Sequence, residues 1–421
     1  MFDIDKWTEV FGTLSKNPLR TFLTAVGVSW GIFMLIVMLG AGRGLENGVK
    51  KGFSNFATNS VYIWTQRTSI SNKGFPAGRY FNFNNGDITA LTENVPEIET
   101  LAPRNQLGGW QDGNNVLRGN KAGNFQVMGD YPQILKIAPK KIVAGRFLNE
   151  LDVADFRKVA IIGTRVKEVL FSGEQKVIGE YIKVNGVYFK VVGVFDVFSS
   201  GRFNERETET IFLPASTFQK AFNYGDLIGW FAMTAKADVP ASLLEEKVRK
   251  VLAKRHQVAE ADTRAFGSFN AEEEFNEMNG AFLGIRVVSW IVGFLTLIAG
   301  VIGVSNIMLV IVKERTREFG IRRAIGAKPA SIIIQVVMES IILTAIAGYL
   351  GLVMGVGLLE LVSGILEFAG EEVTQTFLNP SVDIGIALKA LVVLVLSGAI
   401  AGLIPAGRAV AVRPVEALRN E

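Results

Sequence analysis

The chain has 421 residues, of which 49% are hydrophobic and only 20% are charged, and its formal net charge is +4. The absence of cysteine excludes disulfides and thiolate chemistry, and a single histidine, His256, argues against a serine–histidine triad or a histidine-rich zinc site. The small net charge gives little support to nucleic-acid binding. The apolar residues are concentrated in a few long blocks, which is typical of a membrane protein.

Four segments are apolar enough, and about long enough, to cross a hydrocarbon core near 30 Å thick. We predict membrane-spanning helices at residues 21–42, 287–312, 329–359 and 384–407. Residues 1–20 precede the first span, and the helical spacing of Trp7, Val10, Phe11 and Leu14 predicts a short amphipathic helix on the inner leaflet. The fold class is therefore a membrane α-helical protein with four transmembrane helices.

The distribution of lysine and arginine predicts how the spans are oriented. The segments 1–20, 313–328 and 408–421 carry basic residues, whereas the segment 360–383 contains glutamate and aspartate but no lysine or arginine. We therefore predict a multi-pass protein of the inner (cytoplasmic) membrane with both termini in the cytoplasm. Residues 43–286 and 360–383 are predicted to lie outside.

Between spans one and two, residues 43–286 have the composition of a soluble domain. Their strand and helix patterns alternate without a regular βαβ rhythm, which predicts a large extracytoplasmic α+β domain. Asn185-Gly186 favours a tight hairpin turn, and the flanking segments 45–57 and 272–283 are predicted stalk helices. The predicted strands are 61–65, 159–162, 181–184 and 187–194, and the predicted helices are 87–93, 164–170 and 241–254.

Three of the spans contain pairs of glycines four residues apart. Such pairs allow close helix packing within the bundle or across a dimer, although glycine is also simply common in membrane helices. The six candidate packing glycines are Gly27, Gly31, Gly351, Gly355, Gly398 and Gly402.

Candidate sites for chemistry are few. The chain has no P-loop, EF-hand or HExxH motif. His256 is predicted to lie at a solvated helix end, and the acidic run 272–274 is predicted to be a solvated first helical turn rather than a cation site. Glu339 lies deep in span three, where a carboxylate needs a partner. We consider Gln335, Ser340 and Thr344 as partners. We favour a packing role for Glu339 over a role in a gate or relay, and we leave both open.

Three motifs carry a resemblance to a known family. Residues 313–328 read KERTREFGIRRAIGAK, residues 17–24 read NPLRTFLT, and residues 405–409 and 413–418 read PAGRA and RPVEAL. Together they resemble the link, the start of span one and the tail of MacB/FtsX-type ABC transporter permeases. The order of one span, a large outer domain and three further spans is also similar. The resemblance implies a MacB-like periplasmic domain with an inserted subdomain at about 114–223.

The resemblance further implies how the chain works. Residues 313–328 would form a coupling helix that contacts an ATPase. The alternative is that its cations only orient the spans. The acidic residues among these cations, and Gly320 and Gly326 as helix punctuation, favour the coupling role. The coupling residues would be Glu314, Arg315, Arg317, Glu318, Gly320, Arg322, Arg323 and Gly326. Without a fused nucleotide-binding domain, the chain would be a non-catalytic permease subunit with no cofactor of its own, and ATP and Mg²⁺ would bind a separate ATPase subunit.

The family implies mechanical transmission, in which ATP-driven closure of the stalk is relayed to the outer domain. The outer domain then acts on something already outside the membrane. The first hypothesis is efflux with a periplasmic adaptor and an outer-membrane channel. The second is Lol-type lipoprotein extraction. The third is FtsX-like signalling to a cell-wall hydrolase, against which the large outer domain argues. A dimer is expected, and the sequence does not distinguish a second copy from a paralogue as the other subunit. It also does not identify a substrate.

Overall fold

The computed structural model describes residues 18–53, 57–108, 113–173, 176–198, 206–369, 377–381 and 384–411. The predicted surface helix before residue 18 and the basic tail after residue 411 lie outside the described residues. The chain divides into two compact units, Met1–Gly48 with Ala281–Glu421, and Val49–Gly280. Each unit is described by itself below.

In chain order the helices are α1 (Pro18–Phe53), α2 (Asn85–Asn94), α3 (Ile134–Ile137), α4 (Glu150–Ala154), α5 (Thr164–Phe171), α6 (Ala215–Ala221), α7 (Ala241–Arg255), α8 (Ala271–Glu314), α9 (Thr316–Ala324), α10 (Pro329–Ala369) and α11 (Ile384–Ala411). The strands are β1 (Ser60–Thr65), β2 (Phe83–Asn84), β3 (Ile98–Gln106), β4 (Asn114–Arg118), β5 (Lys121–Asp130), β6 (Lys141–Gly145), β7 (Val159–Gly163), β8 (Tyr181–Val184), β9 (Val187–Asp196), β10 (Thr210–Pro214), β11 (Leu227–Ile228), β12 (Trp230–Ala235) and β13 (Phe266–Asn270).

Among the described residues, four helices are long and apolar enough to cross a membrane: α1, α8, α10 and α11. The predicted fold class, four membrane helices with a large α+β domain between the first and second, is confirmed. Helix α10 continues to Ala369, so the first part of the segment predicted as an outer loop at 360–383 is helical. The link helix α9 is shorter than the predicted 313–328 because Arg315 interrupts the helix after α8.

Contacts within the helical unit establish the direction of each helix. Helix α1 runs parallel to α10, with close contacts at Ser29 with Gly351, Ile36 with Gly355 and Gly40 with Leu359. It runs antiparallel to α8, with contacts at Gly31 with Thr296 and Gly42 with Ile285. Helix α11 runs antiparallel to α10, with contacts at Gly348 with Leu394 and Gly402 with Val337. The start of α1, the link helix α9 and the end of α11 therefore share one end of this unit.

The α+β unit is built on one large sheet with the strand order β10-β7-β9-β8-β4-β5-β3-β12-β1-β13, and β6 pairs with β9. Strand β10 also pairs with β5, so β5, β10, β7, β9, β8 and β4 close into a ring around a core that includes Phe189 and Phe218. Closing the ring leaves these strands without an open sheet edge. Strands β2 and β11 pair separately.

The remaining strands, β3, β12, β1 and β13, form an antiparallel layer whose core includes α7 residues Leu244, Val248 and Leu252. The strands and helices that the sequence predicted in this unit are confirmed within a few residues. Asn185 and Gly186 have φ angles of 42° and 95°, as the predicted hairpin turn requires.

The prediction that His256 is solvated is wrong. Its side chain is 12% exposed, and Nε2 lies 2.9 Å from Oδ2 of the fully buried Asp87. The ring also packs against Phe81 and Phe83. The predicted helix end is correct, because α7 ends at Arg255. However, α2 packs against α7, and Asp87 of α2 contacts the ring together with Phe81 and Phe83.

Candidate functional site

The link helix α9 is short and has a defined end. Its last turn closes with two backbone hydrogen bonds, from Gly326 N to the Arg323 carbonyl and from Ala327 N to the Arg322 carbonyl. Gly326 has a φ angle of 102°, a left-handed conformation that glycine adopts without the Cβ penalty. Gly320, by contrast, is buried inside α9 and does not end a helix, so its interpretation as helix punctuation is wrong.

A buried ion pair joins the end of α8 to α10. Arg315 Nη1 donates to Glu339 Oε1 at 2.9 Å, and the two side chains are 12% and 3% exposed. Arg315 also donates from Nε and Nη2 to the Glu318 carboxylate at 2.9 and 3.0 Å. A buried charge is costly unless it is paired and hydrogen-bonded, and each of these groups meets that condition.

Two further side chains complete this set. Arg322 lies 2.7 Å from Glu318 and donates to Gln335 Oε1 at 3.0 Å, while Gln335 Nε2 lies 3.4 Å from Glu339 Oε1. We call Arg315, Glu318, Arg322, Gln335 and Glu339 the link cluster. Burial lowers the pKa of the Arg315 guanidinium, but its hydrogen bonds and charge interactions with Glu318 and Glu339 outweigh burial and raise that pKa above its ordinary value. The cluster therefore holds Arg315 as a cation.

Of the partners predicted for Glu339, only Gln335 lies within hydrogen-bond distance of its carboxylate among the contacts described. Ser340 and Thr344 instead donate to backbone carbonyls of their own helix. Sequence reasoning missed Arg315, which precedes Glu339 by 24 residues. The sequence feature that could have identified Arg315 was the basic end of α8. A short link between antiparallel helices brings that end beside the first turns of α10.

The predicted coupling residues divide into two faces of the link. Arg315 and Arg322 contact α10 and Glu318 pairs with both of them, while Arg323 donates to the Val410 carbonyl of α11. The opposite face is exposed and contains Arg317, Ile321, Ala324 and Ile325, with Glu314 exposed just before the helix. Ile325 is 82% exposed and Ile321 is 40% exposed. We call Arg317, Ile321, Ala324 and Ile325 the outward face.

Most of the candidate packing glycines lie against a neighbouring helix. A Cβ on Gly351 would lie 2.3 Å from the Ser29 carbonyl oxygen, and one on Gly355 would lie 2.8 Å from the Ile36 side chain. A Cβ on Gly398 or Gly402 would meet Thr344 or Ser340 of α10, and one on Gly31 would lie 3.4 Å from the Thr296 backbone. Gly27 has no described neighbour within 4 Å of its Cβ position.

Among the described residues, no group of three or more histidine, aspartate or glutamate side chains could hold a metal ion. Within the acidic run 272–274, Glu272 accepts a hydrogen bond from the Ala241 backbone N–H at the start of α7. This carboxylate therefore satisfies one of the unpaired amides at a helix N-terminus.

Comparison with known proteins gives matches along most of the chain. The family of the MacB-like periplasmic core domain matches residues 21–251, and the family of the FtsX-like permease C-terminal region matches residues 290–410. The chain is 29% identical over 414 residues to the macrolide export ATP-binding/permease protein MacB of Bdellovibrio bacteriovorus. It is also 29% identical over 406 residues to the pyoverdine export ATP-binding/permease protein PvdT of Pseudomonas entomophila.

These matches cover 98% and 96% of the chain but only 61% and 58% of the two relatives, so the chain spans about three fifths of their length. Among solved structures, the periplasmic region of MacB from Actinobacillus actinomycetemcomitans is similar with a TM-score of 0.43 and 19% identity. That similarity covers 54% of this chain and 95% of the other.

Proposed function

Because the chain belongs to the MacB/FtsX-type family of ABC transporter permeases, we propose that it converts ATP hydrolysis by a partner ATPase into conformational work in its α+β domain. We further propose that this work serves export, which the names of the two relatives support. A second permease copy or paralogue, a periplasmic adaptor and an outer-membrane channel complete the proposed assembly. We also propose that the link helix and both termini lie in the cytoplasm, because the segments that contain them carry the basic residues.

ATP and Mg²⁺ are proposed to bind an ATPase outside these 421 residues, because the sequence contains no P-loop to cradle the phosphates. The role of the permease is then to receive a displacement at α9 and pass it to its spans. This requires a link that is firmly attached to the spans on one side and open to a partner on the other.

The link cluster is the observation that carries the proposal. Arg315 and Arg322 attach the link to Glu339 and Gln335 of α10. Polar contacts in a low-dielectric environment are strong and directional, so a force on α9 reaches α10 without passing through a flexible loop. Arg315 also directly follows α8, so the same force acts on both spans.

The outward face has the chemistry of a docking surface for the ATPase. Ile325 and Ile321 are apolar side chains exposed beside the cation of Arg317. Protein interfaces concentrate binding energy in a few apolar anchors that fill pockets, surrounded by polar residues. We therefore assign contact with the ATPase to Ile321, Ile325 and Arg317, and attachment to the spans to the link cluster.

The test is recovery of the ATPase with the tagged chain from membranes of the native host. In the double variant Ile321→Ser, Ile325→Ser we expect recovered ATP hydrolysis to fall roughly tenfold or more, because two central anchors are removed. Leu243→Ser is the matched control, since Leu243 is 41% exposed on α7 and Ile321 is 40% exposed. Equal recovery from the wild type and the double variant, or no ATPase with the wild type, would contradict the proposal.

A further inference from the structure

At the end of the helical unit opposite the link cluster, one turn of α1 contacts the segment between α10 and α11. Leu378 N donates to the Gly44 carbonyl oxygen at 2.9 Å. Asn47 Nδ2 lies 3.4 Å from the carbonyl oxygens of both Leu378 and Asn379. Residues 44 and 47 are three positions apart and therefore lie on the same side of the helix. We call these four residues the α1 clasp.

Gly44 makes this approach possible. A Cβ at position 44 would lie 2.9 Å from the Phe377 ring and 3.0 Å from Pro380 Cβ. Real Cβ atoms essentially never show a contact as close as the one to Phe377, and the contact to Pro380 is tighter than nine in ten real ones. A large residue such as leucine would therefore push segment 377–380 away from the helix. Gly44 lies within a regular helix, so its backbone conformation does not require glycine. The requirement is steric.

The same turn of α1 is also attached to α8. Glu46 Oε2 and Arg286 Nη2 are 2.9 Å apart, with side chains that are 16% and 51% exposed. Three chain segments therefore meet at residues 44–47. Closer to the link, α1 and α10 are in contact at Ser29 with Gly351 and at Gly40 with Leu359.

We propose that the α1 clasp fixes the outer end of α1 to the segment that follows α10, beyond the direct contacts between the two helices. A displacement received at the link cluster then reaches residues 44–53, which lead into the α+β domain. Helix α1 continues without a break to Phe53, seven residues before β1 begins at Ser60. The proposal deepens the proposed function and rests on it. Gly44 and Asn47 act as positioning residues, since they transmit movement and touch no substrate.

The contact itself is tested by cross-linking the full chain in nanodiscs. Because the chain contains no cysteine, a pair of introduced thiols reacts without background. Asn47→Cys with Leu378→Cys should cross-link with a short bismaleimide. Leu45→Cys with Leu378→Cys is the control, because residue 45 lies two positions away on the opposite side of the helix. We expect roughly a tenfold higher yield for the first pair, since neighbouring groups react at a high effective concentration. Equal yields would overturn the clasp.

Transmission is tested by amide hydrogen exchange on the permease–ATPase complex, with and without ATP and vanadate. In the wild type, nucleotide should change exchange in both α10 and residues 44–53 of α1. Gly44→Leu should keep the change in α10 and lose it in α1. Gly284→Leu is the matched control, because a Cβ at Gly284 of α8 has no described neighbour within 4 Å apart from the backbone of its own helix turn.

Two results would contradict the proposal in distinguishable ways. A change in α1 that persists in Gly44→Leu, or a wild-type change confined to α10, would overturn transmission through the clasp and leave the proposed function standing. No change in either helix of the wild type would overturn both. Retention of the bound ATPase by Gly44→Leu would confirm that the variant is folded and that its link is intact.

Discussion

Arg315 Nη1 and Glu339 Oε1 are 2.9 Å apart, and this contact joins the residue that follows α8 to a carboxylate ten residues into α10. Neither charge is left alone, because Glu318 holds the other side of the guanidinium and Gln335 approaches the Glu339 oxygen. A carboxylate that appears misplaced within an apolar span thus has a structural partner at the end of the neighbouring helix.

The coupling between these two residues can be measured with a double-mutant cycle. Arg315→Met should destabilise the protein by about 3–5 kcal/mol, because it leaves the Glu339 carboxylate buried without the guanidinium. Glu339→Leu should cost less, because Arg315 still donates to Glu318. The double variant should cost less than the sum, by about 0.5–3 kcal/mol, because both charges are then gone. Thermal unfolding of the chain in nanodiscs gives these free energies, and the exposed pair Arg165 and Glu168 on α5 is the control. Additive effects at Arg315 and Glu339 would show that the ion pair contributes nothing.

The contact between α1 and α10 predicts different results for two glycines of the same helix. Gly351→Ala should destabilise the helical unit by about 1–3 kcal/mol, because its Cβ would lie 2.3 Å from the Ser29 backbone oxygen, which cannot rotate away. Gly357→Ala should be neutral or stabilising by up to about 1 kcal/mol, since its Cβ would have no described neighbour within 4 Å apart from its own helix backbone, and alanine favours the helix. Thermal unfolding in nanodiscs distinguishes the two. Equal melting temperatures would mean that α1 and α10 do not pack at this position.

The buried carboxylate of Asp87 predicts acid sensitivity in the α+β unit. Burial alone would raise the pKa of Asp87, but hydrogen bonds from His256, the Asn84 amide and Arg255 outweigh burial and hold this pKa below its ordinary value of 3.8. A carboxyl with a depressed pKa stabilises the fold at pH values above 3.8, and this contribution is lost as the pH falls toward the folded-state pKa. Asp87→Asn should therefore destabilise the unit near neutral pH and show a smaller loss of stability between pH 6 and pH 3 than the wild type.

Hydrogen exchange of the full chain in nanodiscs, followed in β1 and α7, measures this local stability at each pH. The relevant comparison is the slope of stability against pH, since any destabilising substitution would lower the value at a single pH. Identical slopes for Asp87→Asn and the wild type would show that another carboxyl dominates the acid response.

The orientation proposed from the basic residues can be tested with single cysteines in the cysteine-free chain. Ser381→Cys, at an exposed position between α10 and α11, should react with a membrane-impermeant maleimide in spheroplasts. Ala324→Cys, exposed on the link helix, should react only after permeabilisation, because basic segments stay in the cytoplasm. The reverse pattern would show that the topology is inverted, and the outward face could then not contact a cytoplasmic ATPase.

The sequence by itself determined the features that depend on local spacing and composition. Apolar runs predicted four spans because a helix must be about 20 residues long to cross the membrane. Asn185 and Gly186 predicted the hairpin because few residues tolerate positive φ angles. The depth of Glu339 in its span required a polar partner, and the motif in residues 313–328 pointed to the family that the comparisons confirm.

Only the tertiary structure decided which distant residues meet. Arg315 pairs with Glu339, Gly351 lies against Ser29, and His256 is covered by α2 and bonded to Asp87. Each contact depends on how two elements are rotated about their axes and shifted along them. A shift of one residue, or the corresponding rotation, would bring a different side chain into the contact. The spacing within a helix fixes which residues share a face, whereas packing against neighbouring helices determines what that face contacts.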